Sequence, residues 1–286
     1  MALQSIPLSS LPLPLTRHHS LPPLTKNPTL TRRWPLSISL PVKSRPRVLV
    51  RVNVSEVCGE ETVVRVDKSK LMVKEAVSDE EIMAAAWVRV REFNNFREDS
   101  FGIEDHKKYL AEIEFKALKE RMAGETKGFR KVSCINASLP LTELTLFADH
   151  DLCTKCKYFD DGEERVVVGT LDLNQCMRLP NEIIGQRPQG IGSDFLRAYL
   201  SSVCVAKELQ RKGLGHALIS KSKTVAEKWG IIHLYVHVAV DNEPAKRLYL
   251  KSAFVHESDE PFADAKFLGR PRRILLWFGL PNPHNL

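Results

Sequence analysis

From Leu71 to Leu280 the apolar residues fall into runs whose spacing switches between two and about 3.6 residues, so strands and helices can be read in order. Leu71 to Val77 predicts a first strand. Ser78 is a good N-cap, and Asp79, Glu80 and Glu81 put carboxylates where the helix dipole favours them. Ile82, Met83, Ala86, Val90 and Phe93 follow at helical spacing, predicting an amphipathic helix over 79–96. A second helix is expected from Glu104 to about Arg121, its charged face turned to water. Beyond Gly128 the period shortens. Arg130 to Leu146 and Glu164 to Leu173 predict strands, and the polar, acidic stretch from Asp149 to Gly162 reads as a hairpin loop between them. Residues 177–193, rich in Gly and Pro, read as a loop-like insertion.

The patterning is strongest from Tyr199 to Phe254. An apolar run with Val203 and Val205 predicts a buried central strand, and it leads into Gln210-Arg211-Lys212-Gly213-Leu214-Gly215. Leu214, Ala217, Leu218, Val225 and Trp229 then mark a helix that stops at Gly230. Ile231 to Val238 is a further strand, so strand, helix and strand form a βαβ unit with locally parallel strands. Asp241-Asn242-Glu243-Pro244 starts another helix, which ends near Ser252-Ala253-Phe254. Phe254 to Glu257 and Arg273 to Leu280 are expected to be the last strands.

A strand that feeds a basic, glycine-bearing turn and then a helix is a layout for binding phosphate. The open N–H groups of the first helical turn and the helix dipole both favour an anion there. Gly213 and Gly215 let the backbone approach it, and Arg211 and Lys212 add charge.

The net charge of +7 suggests nucleic acid until its distribution is considered. Residues 1–55 contain eight Lys/Arg and no acid, leaving 34 basic against 35 acidic residues in the rest. The body therefore lacks the electrostatic footprint of a nucleic-acid binder. A Ser-rich, Pro-rich, basic and acid-free leader has the composition of an organellar transit peptide, and chloroplast fits better than mitochondrion because no amphipathic Arg helix is visible. A disordered basic tail on a cytosolic protein is the alternative. The expected organisation is a disordered transit peptide over 1–55, a linker over 56–70 and one domain over 71–282. No apolar run approaches the roughly 18 residues of a membrane span. Six scattered cysteines suit a reduced compartment. His150-x-x-Cys153-x-x-Cys156 has metal-ligand residue types, but one CxxC without a second pair reads as a loop with free thiols, so no metal is expected.

The order of elements and the motifs resemble the GCN5-related N-acetyltransferase superfamily. Gln210 to Gly215 matches its Q/R-x-x-G-x-G/A pyrophosphate motif, and Asn242-x-x-Ala245-x-x-Leu248-Tyr249-x-x-x-x-Phe254 resembles its second signature. Ala253 stands where the family usually has Gly, and Ala206-Lys207 where it usually has a proline. The resemblance implies a mixed α/β fold: a twisted mixed sheet of six to seven strands flanked by helices and splayed between the fourth and fifth strands. Acetyl-CoA would enter that gap as cosubstrate. Val203, Cys204 and Val205 would pair with the pantetheine, and Arg211, Lys212, Gly213, Leu214, Gly215 and His216 would hold the pyrophosphate. Asn242, Glu243, Pro244 and Tyr249 would complete the binding set.

Acyl transfer from a thioester to an amine needs a base for the ammonium proton, a donor for the developing oxyanion and an acid for the thiolate. The resemblance puts Tyr249 in the acid's place, although a buried Tyr can equally be a core aromatic. Tyr199 and His237 match base positions in some N-terminal amine acetyltransferases of the family, and a central-strand N–H near Val203 is the oxyanion donor. Trp87, Phe93 and Phe96 read as core, on helices that in the resembled fold border the acceptor cleft. The expected activity is direct acetyl transfer in the chloroplast stroma, by a monomer, to protein N-terminal or lysine amines. Small amines, and an acetyl-CoA-binding module without activity, are the alternatives.

Overall fold

Ser78 forms a full capping box with Glu81: its hydroxyl accepts from the Glu81 N–H, and the Glu81 carboxylate accepts from the Ser78 N–H. Helix α1 therefore starts at Asp79, as expected, and runs Asp79–Phe93. It follows strand β1 (Met72–Glu75) and leads to α2 (Ile103–Met122). The computed structural model describes residues 67–97, 100–145, 148–176 and 196–281, all within one compact unit. The expected leader, most of the linker and the 177–193 insertion lie outside the described residues.

Strand β2 (Phe129–Pro140) gives way to a single 3₁₀ turn, Leu141–Glu143, so it ends short of the expected Leu146. The stretch expected to be a hairpin loop is instead a short helix and a strand, α3 (His150–Lys155) and β3 (Lys157–Asp160). The Asp149 side chain caps α3 through the Leu152 N–H, and only the turn at Asp161 and Gly162 joins β3 to β4 (Glu163–Cys176). The rest runs β5 (Arg197–Val205), α4 (Leu214–Lys228), β6 (His233–Ala239), α5 (Glu243–Lys251), β7 (Val255–Asp259), α6 (Phe262–Phe267) and β8 (Arg273–Gly279).

These strands make one eight-stranded sheet in the order β1-β2-β4-β5-β6-β8-β7, with β3 added on β4. β3 accounts for the strand beyond the expected six to seven. Every neighbouring pair is antiparallel except β5 and β6, the parallel pair of the βαβ unit.

Alternation along β4 separates the two faces of the sheet. Thr170 and Asp172 point to α1, where both accept from the Arg89 guanidinium at 3.1 and 2.6 Å. Glu114 of α2 adds a bond at 3.0 Å and Arg121 an ion pair with Asp172 at 3.4 Å, so two cations and two carboxylates balance under α1 and α2. Gly169 points the other way: a Cβ there would sit 3.1 Å from Leu218 of α4. α1 and α2 thus cover one face and α4 the other. The main apolar cluster, with Leu171, Leu173, Leu200, Val236, Leu218 and Val225, fills the space between sheet and helices.

Candidate active site

The turn before α4 is built to receive an anion. Capping side chains satisfy the first amides of α1, α3 and α5, whereas α4, like α2 and α6, has no side-chain cap, and its N-cap is Gly213. The open N–H groups at its start therefore need another acceptor. Arg211 and Gly213 both take left-handed backbone, at φ 66° and 93°, which turns successive N–H groups inward. A non-glycine residue in that region is strained, and such strain gathers at ligand sites. Gly215 permits a close approach instead: a Cβ there would lie 3.0 Å from Leu248 of α5.

Between α4 and α5 lies a cavity of about 420 Å³. Of the expected cosubstrate residues it is lined by Val205, Arg211, Gly213, Leu214, Gly215, His216 and Pro244. Arg247, Leu248 and Lys251 of α5 line it too and were not expected. Arg247 and Lys251 stand four residues apart beside Leu248, so the α5 sequence already put them on one side of the helix. The lining contains no Asp or Glu. An apolar floor, an uncapped helix start and cations without acidic neighbours fit a phosphate-bearing, partly apolar molecule such as acetyl-CoA.

Other expected members lie around this cavity. Asn242 is the N-cap of α5, its side-chain oxygen accepting from the Ala245 N–H at 3.2 Å. Glu243 pairs with Lys246. Cys204 faces α1 opposite Thr170 and is buried, as is Val203. Lys212 is on the turn but outside the lining.

The sheet parts next to this turn. β5 and β6 stay in register from Arg197↔His233 to Leu200↔Val236, while β5 continues to Val205 and β6 to Ala239. This is the expected splay. Just beyond the last pair, Ser202 and Val203 stand opposite the single residue Leu171, a bulge with Ser202 at φ 53°. The expected oxyanion donor therefore falls on a bulge at the parting point.

Tyr199 and His237 meet on the α1 side of this parting. Cross-strand partners share a face, so Tyr199, opposite Asn174 of β4 and Tyr235 of β6, lies on the face of Asp172, and His237 lies two residues beyond Tyr235. The Tyr199 hydroxyl and His237 Nδ1 are 2.7 Å apart, with ring centroids 5.3 Å apart. Both are buried, and His237 Nε2 has no hydrogen-bond partner among the described residues. Burial pushes His237 down to about 4, with buried Glu260 acting against the shift and Arg270 with it. His237 is thus neutral at working pH and can accept a proton.

Tyr249 lies across the sheet. It is buried on α5, with its ring 5.6 Å from Phe254, which packs 5.5 Å from Phe278. Burial raises its hydroxyl above the ordinary tyrosine range, so it stays protonated.

A second cavity, about 470 Å³, opens on the α1 side and includes Trp87, Arg91, Phe96, Lys107, Asp149 and Lys207. Gln210 lines both cavities. Trp87 and Phe93 pack on the core as expected, Trp87 also bordering this opening, whereas Phe96 borders the opening without joining the core cluster. His150, Cys153 and Cys156 sit on and just after α3 with free thiols, and among the described residues no group of three or more His, Cys, Asp or Glu is placed to hold a metal.

The model of the Acetyltransferase (GNAT) family matches residues 136–254. The chain is 57% identical over 216 residues, 76% of its length and 78% of the relative's, to GCN5-related N-acetyltransferase 7, chloroplastic, of Arabidopsis thaliana. It is 30% identical over 199 residues, 66% and 63% of the two lengths, to GCN5-related N-acetyltransferase 6, chloroplastic, of the same plant. A PaiA N-acetyltransferase from Thermoplasma acidophilum, solved with coenzyme A, aligns over 73% of this chain and 99% of its own at 13% identity and a TM-score of 0.43. With more than half of its residues shared with the first of these relatives across three quarters of its length, the chain belongs to the GCN5-related family of acetyl-CoA-dependent N-acetyltransferases.

Proposed function

We propose that the chain is a plastid enzyme that transfers acetyl directly from acetyl-CoA to protein N-terminal α-amines, lysine ε-amines or both. The observation that carries this reading is the 2.7 Å bond between Tyr199 and His237 at the parting of β5 and β6, on the face opposite the α4–α5 cavity. Acetyl-CoA supplies an activated acetyl group; the chain's own residues bind it, position it and move protons.

The turn from Arg211 to His216 holds the pyrophosphate, and the β5 edge from Val203 to Val205 guides the pantetheine toward the parting. Asn242 shapes that wall by fixing the start of α5. The amine enters from the α1 side, where the second cavity gives an open, mixed-charge approach suited to a peptide backbone and its flanking side chains. Tyr199 takes the amine proton while His237, neutral through burial, accepts from the phenol. The N–H at the Val203 bulge faces the developing oxyanion. Tyr249 returns a proton to the departing thiolate. Each transfer requires groups within hydrogen-bond reach and in the right protonation state, and such positioned acids and bases contribute on the order of 10²–10⁴ in rate.

The leader over 1–55 with its linker is read as a stromal transit segment, the domain over 71–282 as the enzyme, and the working species as a monomer. The chloroplastic names of both relatives support the compartment.

The test is to incubate the purified chain with acetyl-CoA and peptides that have blocked N-termini, lack lysine, or have both amines free, and to locate acetyl groups by mass spectrometry. Acetylation of α-amines, lysines or both is the expected result. Unmodified peptides from a preparation that binds acetyl-CoA would move the reading to small amines or to a module without activity.

A further inference from the structure

We propose that Lys68, which precedes the first strand and lies outside the family-matched residues, is a further cosubstrate-binding residue that contacts the pyrophosphate of acetyl-CoA. This rests on the reading of the α4–α5 cavity as the acetyl-CoA site. Lys68 Nζ stands 3.7 Å and its Cε 3.9 Å from where a Cβ on Gly213 would be, so the side chain reaches over the turn itself.

The segment that presents Lys68 is tied down on both sides. Asp67 Oδ1 accepts from the Ser69 N–H at 2.9 Å and from its hydroxyl at 2.7 Å. The Lys70 N–H bonds the Asp67 carbonyl at 3.2 Å and the Leu71 N–H bonds the Lys68 carbonyl at 3.3 Å. Lys70 pairs with Glu143 at 2.6 Å, and the Arg165 guanidinium donates to the Lys70 carbonyl at 2.8 Å. Arg165 is itself buried, so this last anchor belongs to the core.

Charge pairing distinguishes Lys68 from its neighbours. Lys70, Lys74 and Arg165 each have a carboxylate within 3 Å, whereas Lys68 has no ion pair among the described residues. The same holds of Arg211, Arg247 and Lys251 around the cavity. Four cations without a carboxylate repel one another and raise the local affinity for a polyanion. Lys68 lies outside the cavity lining and over Gly213, so the group within its reach is the pyrophosphate on the turn rather than the outlying 3′-phosphate.

Calorimetry on the full chain tests this with acetyl-CoA, acetyl-dephospho-CoA and S-acetyl-pantetheine. Lys68→Ala is expected to raise the Kd of acetyl-CoA about threefold and Lys68→Glu about tenfold at low salt, with both effects shrinking at high salt. Acetyl-dephospho-CoA, which keeps the pyrophosphate, should lose as much, and S-acetyl-pantetheine should lose nothing. Unchanged acetyl-CoA affinity in Lys68→Glu overturns the proposal, as does an equal loss for S-acetyl-pantetheine, which would mean a distorted fold. If the unsubstituted chain fails to bind acetyl-CoA at all, the reading of the cavity falls and the role of Lys68 falls with it.

Discussion

Tyr199 on β5 and His237 on β6 are joined by a 2.7 Å hydrogen bond within a few residues of the point where their strands stop pairing. The parallel βαβ connection puts the two strands side by side, their alternation puts both rings on the α1 face, and the bulge at Ser202 turns β5 just beyond. The uncapped start of α4 opens on the other face, so the sheet separates the α4–α5 cavity from the Tyr199–His237 pair.

Tyr249→Phe keeps the ring against Phe254 and removes only the hydroxyl. Steady-state kinetics should show kcat lower by about 100-fold with the KM for acetyl-CoA little changed. An unaltered kcat would reduce Tyr249 to a packing residue.

Burial of neutral His237 ties stability to pH. The unfolded chain protonates this side chain near 6.5, the folded chain near 4. Between those values the unfolded state binds the extra proton, so stability falls as pH is lowered through the window and is untouched above it. The separation corresponds to roughly 3 kcal/mol over the full range. Tyr199 on β5, Glu260 and Arg270 are the ionisable groups acting on the ring, and none of them reverses the direction set by burial. Urea titrations should give His237→Gln a flatter profile from pH 6.5 to 4. An equal slope in both proteins would assign the acid sensitivity to other groups.

Ala253 has φ 62° and occupies the left-handed position after α5. Its N–H bonds the Leu250 carbonyl and the Phe254 N–H the Tyr249 carbonyl, both at 3.0 Å, the two bonds of a Schellman motif. Ala253→Gly should stabilise the fold by about 1 kcal/mol, seen as a rise in Tm of about 2–4 °C. A lower Tm would mean that the Ala253 methyl makes contacts worth more than the strain.

The segment from Tyr199 to Phe254 was legible because its signals are local. β-branched runs, glycine at positive φ, Pro at the start of α5 and a left-handed residue after it all act within one or two turns of chain. The α3–β3 segment was not, since β3 is four residues long with Phe159 exposed, and it becomes a strand only through its pairing with β4. α6, between β7 and β8, also went unread. It is six residues long, and its Phe262 and Phe267 are exposed. Within the site, Tyr199 and His237 could be named from the resemblance, but their hydrogen bond depends on strand register. Lys68 lies 145 positions before Gly213 and carries no local mark of its place.

The most direct test of the account is a double-substitution cycle on kcat with a peptide acceptor, using Tyr199→Phe, His237→Gln and the pair. If one relay passes the amine proton, each single change lowers kcat by about 100-fold and the double change costs little more than either. Independent, multiplying losses, or single variants as fast as the unsubstituted chain, would contradict the claim that these two residues act as one base at the parting of β5 and β6.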